Sequence, residues 1–207
     1  MNLIIILIYY VFLILFVKSK NKKLLLFLPV LVAITKFSYL FNNNTNLINA
    51  EHLILPATTL VSRCYYYMFQ GCASLTAAPE LPATTLADSC YNSMFSECTS
   101  LTTAPELPAN TLVTYCYNAM FWGCTSLTTA PELPAATLAD SCYYYMFYDC
   151  KKLNSITMLA TDISASGCLT NWVNGVASTG TFTKAASMSS LTTGTSGIPS
   201  GWTVVNK

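Results

Sequence analysis

Residues 82–107, PATTLADSCYNSMFSECTSLTTAPEL, decide the fold because their pattern recurs along the chain at a fixed interval. Every step is 26 residues, with no insertion. The recurring positions are Pro56, Pro82, Pro108 and Pro134, then Cys64, Cys90, Cys116, Cys142 and Cys168, and then Cys72, Cys98, Cys124 and Cys150. A period of roughly 20–50 residues is typical of solenoids and other repeat arrays. We therefore expect each repeat to form one unit that stacks on the next.

The composition narrows the class of protein. Charged residues make up 9% of the 207 residues, whereas about 25% is usual in soluble domains. Hydrophobic residues reach 53%, and the formal net charge is +1. The repeats contain no basic patch, and binding to nucleic acid needs clustered lysines and arginines that neutralise phosphates. Nucleic acid is therefore not an expected partner.

The first 36 residues are predicted to be a hydrophobic membrane or targeting region. Residues 1–17 are apolar, a lysine-rich stretch occupies residues 18–23, and a second apolar run covers residues 24–34. A 17-residue helix is about 25 Å long, the short limit for crossing a bilayer core about 30 Å thick. The two runs could form a helical hairpin around a cytoplasmic basic loop, or residues 18–34 could be a signal peptide. Under both interpretations the repeats lie outside the cell. The third interpretation is that the two apolar runs form a buried cap of the solenoid.

Residues 37–52 are predicted to be a degenerate N-terminal cap repeat. The segment from Phe37 to Leu47 has the spacing of the segment from Tyr65 to Leu75, with Asn44 in the place of a cysteine. Terminal repeats of solenoids are expected to be atypical because they cap the core. Three interpretations of residues 24–36 therefore remain: a second transmembrane helix, the hydrophobic region of a signal peptide, or a part of this cap.

Residues 53–156 contain four full repeats, and each is expected to combine a short strand with a short helix. In the second repeat, residues 100–104 are short and β-branched and end at a proline, which favours a strand. Residues 87–97 lack proline and glycine and can form a helix of two or three turns. On such a helix, Cys90, Tyr91, Met94, Phe95 and Cys98 would form one apolar face.

The repeats resemble the BspA-like leucine-rich repeats, whose hallmark is F-x-x-C-x-x-L followed by an L-P step. Matching segments begin at Phe69, Phe95, Phe121 and Phe147. The resemblance covers about residues 37–159. It implies an α/β solenoid, a leucine-rich-repeat-like stack of short parallel strands and short helices on a cell surface, some members of the family being adhesins. It transfers no catalytic residue.

The repeated apolar positions are predicted to form the core. They are Cys64, Cys72, Cys90, Cys98, Cys116, Cys124, Cys142, Cys150, Phe69, Phe95, Phe121, Phe147, Leu75, Leu101, Leu127 and Leu153. Most of these thiols are expected to be buried small hydrophobes, while a disulfide within the second cysteine series stays open. The C-x7-C spacing is not a zinc pattern, and His52 is the one histidine. No metal and no cofactor are expected.

Candidate binding residues come from two sets. Aromatic residues occupy positions that vary between repeats, on the helix face opposite the cysteines, and exposed rings favour contact with protein or carbohydrate. Threonines on the strand face should line the concave surface, where solenoids usually bind. The candidates are Tyr66, Tyr67, Trp122, Tyr144, Tyr145 and Tyr148, together with Thr76, Thr102 and Thr128. The alternative is that the aromatic residues only cover the surface of the fold and bind no partner. Glu80, Glu106 and Glu132 form a further ladder, which we expect to be a solvated row.

Residues 157–207 are predicted to be a degenerate repeat followed by a small β C-terminal cap. The segments 180–184 and 201–205 alternate as strands do, and a glycine-containing loop separates them.

The expected function is a non-enzymatic, surface-exposed or secreted repeat scaffold that binds a protein or glycan partner. The alternative is a structural element that assembles with copies of itself. An enzyme is the weakest class, because one histidine and nine scattered acidic residues provide no nucleophile–base pair in the sequence.

Overall fold

The computed structural model describes residues 37–55 and 57–207. The predicted membrane or targeting region, residues 1–36, with its hydrophobic helical segment, lies outside these described residues. Within them, no helix is long and apolar enough to span a bilayer.

The C-terminal part of the chain forms one open sheet of three parallel strands. The strands are β1 (Ser155–Met158), β2 (Thr181–Lys184) and β3 (Thr203–Asn206), in the order β1-β2-β3. Both strands predicted for the C-terminal cap are therefore present. They pair in parallel, Thr181 opposite both Ser155 and Thr203, because each strand comes from a separate turn of the solenoid.

A coil is one 26-residue repeat (53–78, 79–104, 105–130 and 131–156). Upstream of β1 the ladder that leads into this strand narrows to one paired residue per coil, and separate parallel bridges join Thr59 to Thr85 and Thr137 to Asp162. Parallel bridges join Asn49 to Ala77, Ala77 to Thr103, Thr103 to Thr129, and Thr129 to Ser155. The predicted strand at residues 100–104 is thus reduced to Thr103. Pro79, Pro105 and Pro131 lack the N–H that a longer ladder needs, and Thr157 in the equivalent place lets β1 extend.

The predicted helices are wrong. The described residues contain no helix, and residues 88–97 form a run of turns. Ser89, Ser93 and Glu97 have positive φ angles of 54°, 53° and 61°, which no right-handed helix allows. Each of the four coils has three such residues, spaced by four, within residues 61–72, 87–98, 113–124 and 139–150. We call these four segments the turn face.

The turn face satisfies its backbone groups by alternating between two kinds of hydrogen bond. The N–H groups of Tyr91 and Phe95 donate to the next coil, to the carbonyls of Cys116 (3.0 Å) and Met120 (2.9 Å). The N–H of Met94 donates within its own coil, to the carbonyl of Tyr91 at 3.1 Å. Odd-numbered residues of this coil thus link neighbouring coils, and even-numbered residues close turns. A helix would use its N–H groups internally, whereas the turn face uses half of them to join coils.

The residue types of the turn face explain why it is not helical. Seven of residues 89–98 are serine, cysteine, tyrosine or asparagine, which are mediocre helix formers. Glycine fills the third left-handed position at Gly71 (φ 71°) and Gly123 (φ 72°), where a residue without a Cβ adopts this conformation freely.

The core consists of columns of identical side chains that run through the stack. All sixteen residues assigned to the core from the sequence are buried. The rings of Phe41, Phe69, Phe95, Phe121 and Phe147 stack with centroid spacings of 5.3–5.7 Å. A second column, Tyr65, Tyr91, Tyr117 and Tyr143, ends on Trp172. Offset stacking of aromatic rings adds about 0.5–1.5 kcal/mol per pair beyond the burial of their area.

Residues 37–50 continue the stack at its N-terminal side. The N–H of Tyr39 donates to the carbonyl of Tyr66 at 3.0 Å, and the N–H of Phe41 donates to the carbonyl of Met68 at 2.9 Å. Tyr39 and Asn43 also have positive φ angles, so the turn pattern extends into this segment.

Candidate functional site

The nine cysteines are free and buried, and they serve the packing of the coils. In the second series, each thiol donates a hydrogen bond to a phenylalanine carbonyl of the preceding turn of the stack. For Cys98 the acceptor is the carbonyl of Phe69, at 3.1 Å from Sγ. Cys72, Cys124 and Cys150 repeat this contact at 3.0–3.1 Å. The sequence interpretation of these thiols as small hydrophobes missed this donor role.

Burial also makes these thiols poor nucleophiles. It raises the pKa of Cys90 and of Cys142 to about 12, from an ordinary value of 9.0. Because the thiolate is the reactive form, both groups stay protonated and unreactive at neutral pH. No cluster of three or more histidine, cysteine or acidic side chains within residues 37–55 and 57–207 is arranged to hold a metal ion.

The variable aromatic residues of the third and fourth coils gather into one patch on the turn face. Trp122 is 43% exposed, and its ring stacks on Tyr145 at 6.0 Å and 25°. The edge of Tyr148 meets Trp122 at 5.6 Å, and Tyr144 meets Tyr145 at 4.4 Å. We call these four residues the second aromatic group. A hydrogen bond with Tyr145 raises the pKa of Tyr144 above its ordinary value.

A first aromatic group lies at the N-terminal side of the turn face and comprises Tyr39, Tyr66 and Tyr67. Tyr39 is 54% exposed and stacks on Tyr67 at 5.3 Å and 4°. The guanidinium of Arg63 lies 5.8 Å from the centre of the Tyr66 ring, within cation–π range. Burial, followed by a hydrogen bond with Tyr67, raises the pKa of Tyr66 to about 12. The sequence prediction missed Tyr39 and Arg63.

The two groups are separated along the stack by residues without rings. The equivalent positions are Asn92, Ser93 and Ser96 in the second coil and Asn118 and Ala119 in the third. The five tyrosines chosen from the sequence are half-buried, because each ring packs against another ring of its group. Trp122 is the most exposed of the aromatic candidates.

The candidate threonines lie on the strand side of the coils, and all three are exposed. The hydroxyl of Thr76 donates to the carbonyl of Ile48 at 2.9 Å. The hydroxyls of Thr102 and Thr128 have no hydrogen-bond partner within the described part of the chain. They line a groove of about 640 Å³ that also contains Glu106 and Glu132.

This groove continues into a recess towards the N-terminal coils. The recess has a volume of about 290 Å³, and its lining includes Glu80, Glu106 and Pro108, the last two of which also line the larger groove. The exposed ion pair between Lys207 Nζ and Glu132 Oε2, at 2.6 Å, lies at the other end of the glutamate ladder. The strand side of the stack thus presents a polar groove with carboxylates and threonine hydroxyls.

Comparison with known families gives one result. A family model, the BspA-type leucine-rich repeat region, matches residues 34–154 in six copies. The chain belongs to the BspA-type leucine-rich repeat family. No curated protein and no solved structure matches the chain. As a BspA-type repeat protein it is a repeat scaffold, and the matched residues include both aromatic groups and the groove.

Proposed function

We propose that this BspA-type protein is a non-enzymatic scaffold on the cell exterior that binds a protein or glycan partner. The observation that carries the proposal is the gathering of variable aromatic residues into partly exposed groups, while the repeated residues are used in packing. Trp122 is the clearest case, because Ser96 holds the same position one coil earlier and Gln70 two coils earlier. Because serine and glutamine are accepted at this position in other coils, the fold itself does not require an aromatic ring at position 122.

The proposed location follows from the apolar region at residues 1–36, which we propose anchors or exports the repeats. Digestion of intact cells with a protease tests this. Cleavage of the repeats without lysis is the expected result, and protection of the repeats on intact cells would contradict it.

The groove on the strand side provides a second candidate contact surface. The hydroxyls of Thr102 and Thr128 are available to a ligand, and Glu106 lines the same groove. Thr76 contributes less, because its hydroxyl is already bonded to Ile48.

The experiment that tests the binding function uses the full chain in mild detergent on an array of glycans and matrix proteins. We expect at least one component to bind, and we expect Trp122→Ser or Thr128→Val to weaken that binding. Circular dichroism and thermal melting of each variant show that the fold is kept. A folded protein that binds no component would contradict the proposal.

Self-assembly is a second candidate, and the C-terminal edge of the sheet favours it. On its outer side β3 has no neighbouring strand in the described residues, and Val204 and Val205 are 45% and 44% exposed. Unpaired edge strands recruit further strands unless charge or proline blocks them. Sedimentation of the full chain and of Val205→Lys tests this idea: assembly that the lysine abolishes supports it, and a monomeric wild type removes it.

A further inference from the structure

We propose that the second aromatic group is a binding platform for a neutral polysaccharide. The inference rests on the proposed binding function and specifies its ligand class. It follows from the packing of the four rings, from the polar groups around them, from the charges of the turn face and from the position of the first aromatic group.

The rings pack into a contact surface and do not enclose a space that could hold a cation. The centroids of Trp122, Tyr145 and Tyr148 are 5.1–6.0 Å apart, so the three rings touch one another. An aromatic cage for a cation places the ion between ring faces, within about 6 Å of each centroid. Touching rings leave no room for an ion between them. A ligand must therefore lie on the exposed outer surface of the group.

Polar groups surround this surface and suit a ligand that is rich in hydroxyls. The three tyrosines supply hydroxyls, and the Nδ2 of Asn171 donates to the hydroxyl oxygen of Tyr145 at 3.2 Å. Ligand sites commonly combine aromatic area with a few placed polar groups. A sugar ring matches both features, since it has an apolar C–H face and a hydroxyl-bearing edge.

The charges of the last three turn-face segments, which hold and border the second aromatic group, disfavour anionic ligands. Within residues 87–98, 113–124 and 139–150 there is no lysine or arginine, while Asp88, Glu97, Asp140 and Asp149 are acidic. The nearest lysines in sequence, Lys151 and Lys152, follow the last of these segments. A site for nucleic acids or sulfated polymers needs clustered lysine and arginine side chains. A surface whose neighbouring charges are acidic therefore favours a neutral ligand.

The first aromatic group favours a polymer over a single sugar. Its Tyr67 lies two coils before the third coil, which carries Trp122, or about 10 Å at roughly 4.8 Å per coil. The intervening positions hold small or polar side chains and no ring. A polymer lying along the stack could contact both groups, and linked contacts raise the overall affinity without any new interaction.

The test uses variants that copy the chain's own second coil. Trp122→Ser, Tyr145→Ser and Tyr148→Ser introduce the residues that Ser96 and Ser93 provide there, so the fold accepts them. Ile54→Ala is the matched control, because Ile54 is 42% exposed and lies outside both groups. The full chain in mild detergent is titrated with mannan, dextran and xylan, with heparin as the anionic polymer, and with collagen as a protein.

We expect a neutral polysaccharide to bind, Trp122→Ser to weaken it about tenfold, and Ile54→Ala to leave it unchanged. Binding of collagen alone, or of heparin in preference to the neutral polymers, would overturn the inference while leaving the proposed binding function in place. Neutral-polymer binding that Thr128→Val abolishes and Trp122→Ser does not would also overturn it, since the groove would then be the site. Binding to nothing on an array that also carries other glycans and matrix proteins would overturn both proposals.

Discussion

Replacement of Glu97 by glycine should stabilise the fold, which is the opposite of its effect in a helix. Glu97 has a φ of 61°, and the left-handed conformation costs an L-residue about 1–2 kcal/mol. Glycine avoids this cost but loses about 0.5–1 kcal/mol more backbone entropy on folding. The expected net gain is about 0.5–1 kcal/mol in the free energy of unfolding. In an α-helix the same change would cost about 1 kcal/mol.

The reverse change one coil later should have the opposite sign. Gly123 has a φ of 72°, and an added Cβ would meet Glu97 Cγ at 3.6 Å, an ordinary contact. The cost of Gly123→Ala therefore comes from the backbone and should be about 1 kcal/mol. A helix would instead gain about that amount from alanine.

Urea unfolding of the full chain, followed by intrinsic fluorescence, measures both changes. Glu106→Gly is the matched control, because Glu106 is also exposed and has no positive φ, so glycine there should cost about 0.5–1 kcal/mol. If Glu97→Gly destabilised the protein and Gly123→Ala stabilised it, the left-handed backbone conformation described for the turn face would be contradicted.

Three further predictions concern the core. Burial raises the pKa of Cys90 and Cys142 from 9.0 to about 12, so as the pH rises these thiols ionise in the unfolded state before they do in the folded state. The free energy of unfolding should therefore be constant below about pH 9 and should fall above it by about 1.4 kcal/mol per pH unit for each thiol. Urea unfolding midpoints measured in reductant between about pH 7 and pH 10.5 check this. Cys98→Ala should cost about 0.5–1 kcal/mol more than Cys90→Ala in the same assay, because it removes the hydrogen bond to Phe69; equal costs would show that this bond contributes nothing. Phe95→Ala should cost about 3–5 kcal/mol, since the ring is fully buried in the phenylalanine column, and a loss below about 1 kcal/mol would contradict that packing.

The sequence predicts the stacking and the buried positions but not the conformation of the turn face. Cys90, Met94 and Cys98 are spaced by four, and over so short a segment this spacing fits both a helical face and a run of four-residue turns. The distinguishing signals were the glycines at Gly71 and Gly123 and the poor helix propensity between them.

The extent of the strands depends on where proline falls, and the sequence prediction used proline only to mark the end of a strand at residues 100–104. Pro105 limits the strand of the second coil to Thr103, whereas Thr157 at the corresponding place lets β1 reach four residues. The predicted cap strands were found because no proline interrupts residues 180–184 or 201–205.

The candidate residues could be proposed from the sequence, but their contacts could not. Tyr39 was missed because residues 37–52 were assigned to a cap, and the search for variable aromatic positions covered the four full repeats alone. The engagement of the Thr76 hydroxyl with Ile48 depends on the same irregular segment, and no pattern in the sequence distinguishes Thr76 from Thr102.

The most direct measurement of the central claim, that the variable aromatic surface binds a partner, uses Trp122 as a reporter. The chain has three tryptophans, and Trp172 and Trp202 are buried, so acrylamide in solution should quench mainly Trp122. Addition of a neutral polysaccharide that binds the full chain should protect this fluorescence from quenching. If such a polymer binds and the quenching of Trp122 stays unchanged, the second aromatic group is not the binding surface.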